Sequence, residues 1–203
     1  MRELKRISAK TAYDVAQHYR VGDDAVLLLA PAMTPDEYLC ALEAKQLMAE
    51  AVRFLAHALP RRLAVWWLCR VAERVTETNP QSAHYQAFLA AERWVKNPTE
   101  ENRRLAERAG AKTQFSSAAS WAAMAAFWST GSLASADLPM VAPPAFLYAH
   151  AVYGGIGVAA VTPTPDLYED NMRRYYQLGI ELACGGNGIM VRSEDEAVDP
   201  VMG

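Results

Sequence analysis

The stretch that decides the fold runs from Ser116 to Val161 and reads SSAASWAAMAAFWSTGSLASADLPMVAPPAFLYAHAVYGGIGVAAV. It contains two very apolar segments, residues 117–130 and 144–161, joined by a loop rich in serine and proline. Neither segment has a polar face wide enough for a surface helix, so both are predicted to lie at the centre of a helical core. Alanine and glycine recur at helical spacing in both, which lets two backbones approach closely.

The rest of the chain is divided into amphipathic helices by prolines and capping residues. The clearest start signal is Thr34-Pro35-Asp36-Glu37, in which Thr34 and Glu37 have the spacing of a capping box. The helix that begins there is predicted to continue to about Ala58, and Gly110 is predicted to end a later one. The pattern predicts an all-α, single-domain bundle of about seven helices around the central alanine- and glycine-rich pair.

Three regions are expected. Residues 1–30 hold an N-terminal helix and a connector that dock on the domain, residues 31–185 form the helical bundle, and residues 186–203 form an acidic, mobile tail.

Composition excludes several classes of function. The 203 residues are 52% hydrophobic and 21% charged, with a formal net charge of −3, so no nucleic-acid partner is expected. The longest apolar stretch, residues 142–161, contains prolines, glycines and a histidine, which favours a buried helix over membrane insertion. Three dispersed cysteines and the lack of a recognisable secretory signal predict a cytoplasmic protein.

No catalytic constellation is visible in the sequence. The four histidines, His18, His57, His84 and His150, fall in different predicted helices, and none has a second metal ligand at helical spacing. No nucleophile motif occurs, and the glycines after Cys184 follow a helix, which is the wrong order for a phosphate loop. Neither a metal nor another cofactor is predicted, and the protein is expected not to be an enzyme.

Tandem tryptophans supply one candidate surface. On a helix, Trp66 and Trp67 point about 100° apart, so one is expected in the core and the other at a helix boundary or on the surface. Tryptophan and arginine are enriched at interface hot spots. The candidate partner-binding residues are therefore Arg61, Arg62, Trp66, Trp67 and Arg70, although a fully buried tryptophan pair is also consistent with the sequence.

The central stretch supplies a different candidate. Its aromatic side chains and its histidine could line an enclosed apolar pocket with a few polar groups. The residues of this alternative pocket are Trp121, Trp128, Tyr148, His150 and Tyr153.

Two segments of the chain resemble a family of all-helical bacterial proteins. One is AERW at residues 91–94 followed by NPTEENRR at residues 97–104, and the other is FWSTGSLA at residues 127–134 with the later Pro143-Pro144. The resemblance covers roughly residues 81–183, and Thr130 stands where the family has glycine. Members of that family are encoded near type VI secretion genes and have no assigned enzymatic activity, and the resemblance implies the same for this chain. The alanine-rich layout is also similar to a helical immunity-protein family.

Together these features predict a non-enzymatic protein-interaction factor linked to a bacterial secretion system, acting as an accessory, adaptor or immunity protein. The expected partner is another protein, either a secretion-system component or a secreted toxin, and homodimerisation is left open. The alternative is a helical domain that binds a small molecule or a lipid.

Overall fold

Capping residues begin several helices of the computed structural model, which describes residues 2–135 and 137–188. The predicted capping box is confirmed: the Thr34 hydroxyl accepts from the Glu37 N–H, and the Glu37 carboxylate accepts from the Thr34 N–H at 2.7 Å. Satisfying otherwise unpaired N–H groups in this way fixes the first turn of the helix.

The described residues form α-helices with no β-strand, which confirms the all-α class. In chain order the helices are α1 (Ala12–Ala16), α2 (Asp23–Val26), α3 (Pro35–Ala44), α4 (Met48–Ala58), α5 (Arg61–Val75), α6 (Ala83–Lys96), α7 (Glu100–Ala111), α8 (Ala118–Phe127), α9 (Leu147–Ala160) and α10 (Tyr168–Ala183). A single 3-10 turn, Pro165–Leu167, precedes α10.

The described residues thus contain ten α-helices, and the predicted count of about seven is wrong. The expected helix from Pro35 to Ala58 is divided at Gln46, whose φ of 58° is left-handed. The N–H of Leu47 donates to the carbonyl of Leu42, and the N–H of Gln46 to that of Glu43, which is the Schellman arrangement. A short α2 also occupies part of the predicted connector.

The apolar pair α8 and α9 lies at the centre. Helix α8 contacts α5, α6, α7 and α9, while α9 also contacts α4, α5 and α10. Gly155 makes the close approach possible, because a Cβ placed there would lie 2.7 Å from a Leu68 methyl and 2.8 Å from the Trp121 Cβ. Gly110 was predicted to end α7, but it lies inside the helix and packs closely on Ala123 and Met124 of α8.

Two neighbouring glycines of α9 provide a test of this packing. We expect Gly155→Ala to lower the free energy of unfolding by about 1–3 kcal/mol, because the added methyl overpacks the α5–α8–α9 contact. The matched variant Gly154→Ala meets no atom within 4 Å, and alanine raises helix propensity by up to about 1 kcal/mol. Urea denaturation of both variants should therefore give shifts of opposite sign, and equal shifts would contradict the packing.

The N-terminal residues are tied to the bundle by specific contacts. The Arg2 guanidinium pairs with buried Asp36 at 2.7 Å and with Glu43 at 2.5 Å. The N–H of Arg6 donates to the carbonyl of Ala183 at 2.9 Å. At the other end, residues 189–203, most of the predicted acidic tail, lie outside the described residues.

Within residues 2–135 and 137–188, no helix combines the length and the apolar character needed to cross a membrane.

Candidate functional site

An open groove of about 810 Å³ runs between α6 and α7; we call it the α6–α7 groove. Its floor consists of small and apolar side chains, namely Ala83, Leu89, Ala90, Leu105, Ala109 and Ala111. Leu89 remains 37% exposed although it lies between two packed helices. Since alanines keep the floor low, a bound segment can come close to both helix backbones.

The rim of the α6–α7 groove is basic. Arg93 of α6 and Arg108 of α7 line it, together with Lys112 just after α7, and all three are exposed. No hydrogen bond or ion pair joins their side chains to another residue of the described chain. No acidic residue is found among the described residues that line the groove. The arrangement is an apolar trough with unneutralised positive charge along its edge.

A second basic groove, of about 400 Å³, lies at the end of α6 and contains two of the predicted anchors, Arg62 and Trp66. We call it the Trp66 groove; it is lined by Arg6, Pro60, Arg62, Leu63, Trp66, Val95 and Lys96. The Arg62 guanidinium donates to the last carbonyls of α6, those of Val95 at 2.5 Å and Lys96 at 3.3 Å. This cation caps the negative end of the helix dipole.

The remaining predicted anchors are placed differently. Trp67 is fully buried, and its indole N–H donates to the carbonyl of Tyr175 at 2.9 Å. Arg70 stacks under Trp66, 4.1 Å from the ring centre, and pairs with Glu73 and Glu92. Arg61 lies elsewhere, over the Tyr148 ring at 5.9 Å. Only Arg62, Trp66 and Arg70 are therefore neighbours at one surface.

The alternative pocket residues are divided among separate places. Trp121 and Trp128 pack together at 6.4 Å, with exposed Phe115 beside them. Tyr148 shares a shallow groove with Trp128 and Arg61. The two remaining residues lie at other contacts: Tyr153 receives a hydrogen bond from Arg53 at 3.1 Å, and His150 packs edge-on against His57 at 4.8 Å.

Three histidines that are far apart in sequence meet around Phe146. His18 stacks on Phe146 at 4.0 Å, His57 lies 5.9 Å on from that ring, and His150 contacts His57. His84 is separate and bonds to the Ser117 hydroxyl. Within the described chain no group of three His, Cys, Asp or Glu side chains has the geometry to hold a metal ion.

His57 is the buried member of this cluster, 4% exposed. Its Nδ1 lies 2.8 Å from the Arg53 carbonyl, which can only accept, so Nδ1 carries the proton and Nε2 has only its lone pair. Nε2 is buried without a hydrogen-bond partner in the described structure. Burial is the main reason that the pKa of His57 is lowered to about 4; the hydrogen bond to the Arg53 carbonyl opposes this shift, and the nearby His150, Arg53 and His18 add to it.

We expect this histidine to make the fold sensitive to mild acid. Below about pH 6.5, the ordinary pKa of histidine, His57 binds a proton in the unfolded chain, whereas in the native chain it does so only near pH 4. The free energy of unfolding therefore falls as the pH is lowered from about 6.5 to about 4. Between pH 7 and pH 5 the loss should be about 2 kcal/mol. Urea denaturation at both pH values should show a flatter pH dependence for His57→Leu, and an unchanged dependence would contradict the assignment.

The two segments that carry the family resemblance meet in the structure. Arg103, 1% exposed, donates to the Glu100 carboxylate at 2.6 and 2.7 Å, and to the carbonyls of Phe127 at 2.8 Å and Ser132 at 2.9 Å. Gly131, at φ 71°, lies against the guanidinium, where a Cβ would come within 2.7 Å of Nε. This clamp holds the start of the α8–α9 loop, so the motifs have a structural role.

Residues 38–183 match a family whose description is "family of unknown function (DUF6931)". The chain belongs to the DUF6931 family. A comparison with curated proteins found no match, and a comparison with solved structures found none either. The DUF6931 description contains no link to type VI secretion or to immunity proteins, so that part of the resemblance stays a prediction.

The DUF6931 match contains every residue that lines the α6–α7 groove, whereas Arg6 of the Trp66 groove precedes it. The α6–α7 groove could not be predicted from the sequence, since α7 reads as a polar, solvated helix. One signal was available: Arg108 and Lys112 are four residues apart, as are Leu105 and Ala109. That spacing places cations beside small apolar residues along one side of α7.

Proposed function

We propose that this DUF6931 protein is a non-enzymatic interaction factor that binds an acidic, amphipathic helix of another protein in the α6–α7 groove. The observation that carries the proposal is the pairing of an apolar floor with three cations that have no partner in the described chain. A groove between two helices suits a third helix that inserts its apolar side chains and is recognised at i, i+3, i+4 and i+7.

The positive charge on the rim of the α6–α7 groove determines which kind of partner helix can bind there. Arg93, Arg108 and Lys112 line the rim, and no described lining residue is acidic. A partner helix with Asp and Glu beside its apolar face neutralises these cations, whereas a basic helix is repelled. Such rim charges act mainly on the association rate and on specificity.

The resemblance to proteins encoded near type VI secretion genes suggests the class of partner. We propose a component of the secretion apparatus or a secreted toxin, met in the cytoplasm, which corresponds to an accessory, adaptor or immunity role. The alternative of small-molecule or lipid binding has less support, because its residues do not line one enclosed pocket: Trp128 and Tyr148 share a shallow groove, whereas His150 and Tyr153 lie at other contacts.

The test is a matched pair of charge reversals. We expect Arg93→Glu with Arg108→Glu to weaken partner binding at least about tenfold, or about 1.4 kcal/mol, by reversing the rim charge. The control, Arg173→Glu with Arg174→Glu, makes the same change in net charge on exposed positions of α10, which packs on α4, α5 and α9.

The tagged wild-type chain and both variants would be used to capture proteins from the native host, followed by titration of the purified partner. Support requires a protein that is held by the wild type and the control, is lost with the α6–α7 groove variant, and binds through an acidic helix. Capture unaffected by the groove variant, or no capture by the wild type, would contradict the proposal.

A further inference from the structure

The Trp66 groove is basic, although the protein carries a formal net charge of −3. Arg6, Arg62 and Lys96 line it, and no acidic residue is among its described lining. Glu92, just beside it, is already held by Arg70 and Lys96. The floor is apolar, formed by Pro60, Leu63, Trp66 and Val95. Its chemistry therefore fits an acidic segment that also carries apolar side chains.

The chain leads directly to this groove. The Trp66 indole N–H donates to the carbonyl of Asn187 at 2.9 Å. Gly188 lies against the same ring, because a Cβ built there would be 3.3 Å from the indole nitrogen and 3.2 Å from the Arg70 Cγ. Arg6 also reaches the turn after α10, donating to the Gly185 carbonyl at 3.3 Å. The described chain thus ends at one wall of the Trp66 groove.

The residues that follow have the complementary composition. Residues 189–203 read IMVRSEDEAVDPVMG, with the acidic run Glu194-Asp195-Glu196, a further Asp199 and a single cation, Arg192. Ile189, Met190 and Val191 come directly after the ring contact. From Gly188 to Ser193 an extended chain spans at most about 17 Å, so the acidic run cannot travel far from the groove.

We propose that residues 189–203 dock in the Trp66 groove of the same molecule, with the acidic run against Arg6, Arg62 and Lys96. Covalent attachment beside the groove gives this segment a high effective concentration there, which a separate peptide of the same charge lacks. The inference concerns a different groove from the proposed function, so either can fail alone.

Zero-length carbodiimide crosslinking of the full chain tests the docking, because Lys96 is the lysine of the Trp66 groove. Trypsin cleaves after Arg192, so the tail is recovered as residues 193–203 joined to its crosslinked lysine. We expect this product at Lys96 in the monomer fraction, and its yield should fall about fivefold in about 0.5 M salt, which screens exposed charges. Lys112 of the α6–α7 groove is the internal control.

A second measurement follows the Trp66 indole N–H by NMR, assigned through Trp66→Phe. In the full chain, replacing Glu194, Asp195 and Glu196 together with lysine should shift this resonance and abolish the Lys96 product, leaving the other indole signals in place. Equal crosslinking at Lys96 and Lys112, no crosslink to residues 193–203, or an unmoved Trp66 signal would each overturn the inference. Crosslinks confined to dimers would assign the groove to a second copy instead.

Discussion

Trp67→Ala is expected to lower the free energy of unfolding by about 3–5 kcal/mol, because it empties the site of a large, fully buried side chain. The Trp67 ring joins three helices: a Cβ at Gly179 of α10 would lie 2.6 Å from it and 2.7 Å from Leu55 of α4. Its N–H also satisfies the Tyr175 carbonyl. Losing the indole therefore creates a cavity where α4, α5 and α10 meet.

The adjacent tryptophan is a matched control. Trp66 is only partly buried, and it contributes a cation–π contact with Arg70 and one hydrogen bond to Asn187. We expect Trp66→Ala to cost about 1–2 kcal/mol. Urea denaturation followed by circular dichroism measures both variants, and equal losses would contradict the assignment of Trp67 to the junction of α4, α5 and α10.

Arg103→Ala is the second change with a large expected effect, about 2–4 kcal/mol, since it empties the site of a fully buried side chain and leaves two backbone carbonyls without their donor. The variant removes the donor to the Phe127 and Ser132 carbonyls and leaves Glu100 without its bidentate partner. Burial of an unpaired carbonyl is costly, and the start of the α8–α9 loop loses its anchor.

Arg108→Ala, five residues further along α7, is the control. Arg108 is exposed and has no side-chain partner in the described chain, so its loss should change stability by less than about 0.5 kcal/mol. Thermal and urea unfolding would compare the two, with near-ultraviolet circular dichroism reporting on the aromatic packing near Phe127. A loss at Arg103 no larger than that at Arg108 would contradict the clamp.

Local signals explain what the sequence could predict. Thr34 and Glu37 sit three residues apart, and the central helices show their burial by lacking a polar face. The division at Gln46 was missed because a glutamine, not the usual glycine, takes the left-handed position of the Schellman turn. Nothing within a few residues of Gln46 marks that conformation.

The features that the sequence did not predict depend on contacts between residues that are far apart in the chain. The 100° offset of the tandem tryptophans predicts that one is buried, but Trp67 is chosen because α10 crosses α5 at Gly179. His18, His57 and His150 meet only because α1, α4 and α9 pack around Phe146. Likewise, Arg93 and Arg108 become neighbours across a groove through the pairing of α6 with α7. Periodicity along a single helix cannot specify such contacts.

The contacts of Arg2 and Arg6 have a consequence for the order in which the protein is built on the ribosome. Residues 2–7 are made long before α10, yet Arg2 lies within reach of Tyr176 and Arg6 bonds to Ala183. The contact of Arg6 therefore has to wait until α10 has been synthesised, whereas Arg2 can pair with Asp36 and Glu43 of α3 much earlier. Contacts between such distant parts of a chain form slowly, and the contacts of Arg2 with Tyr176 and of Arg6 with Ala183 cannot form before α10 has been made.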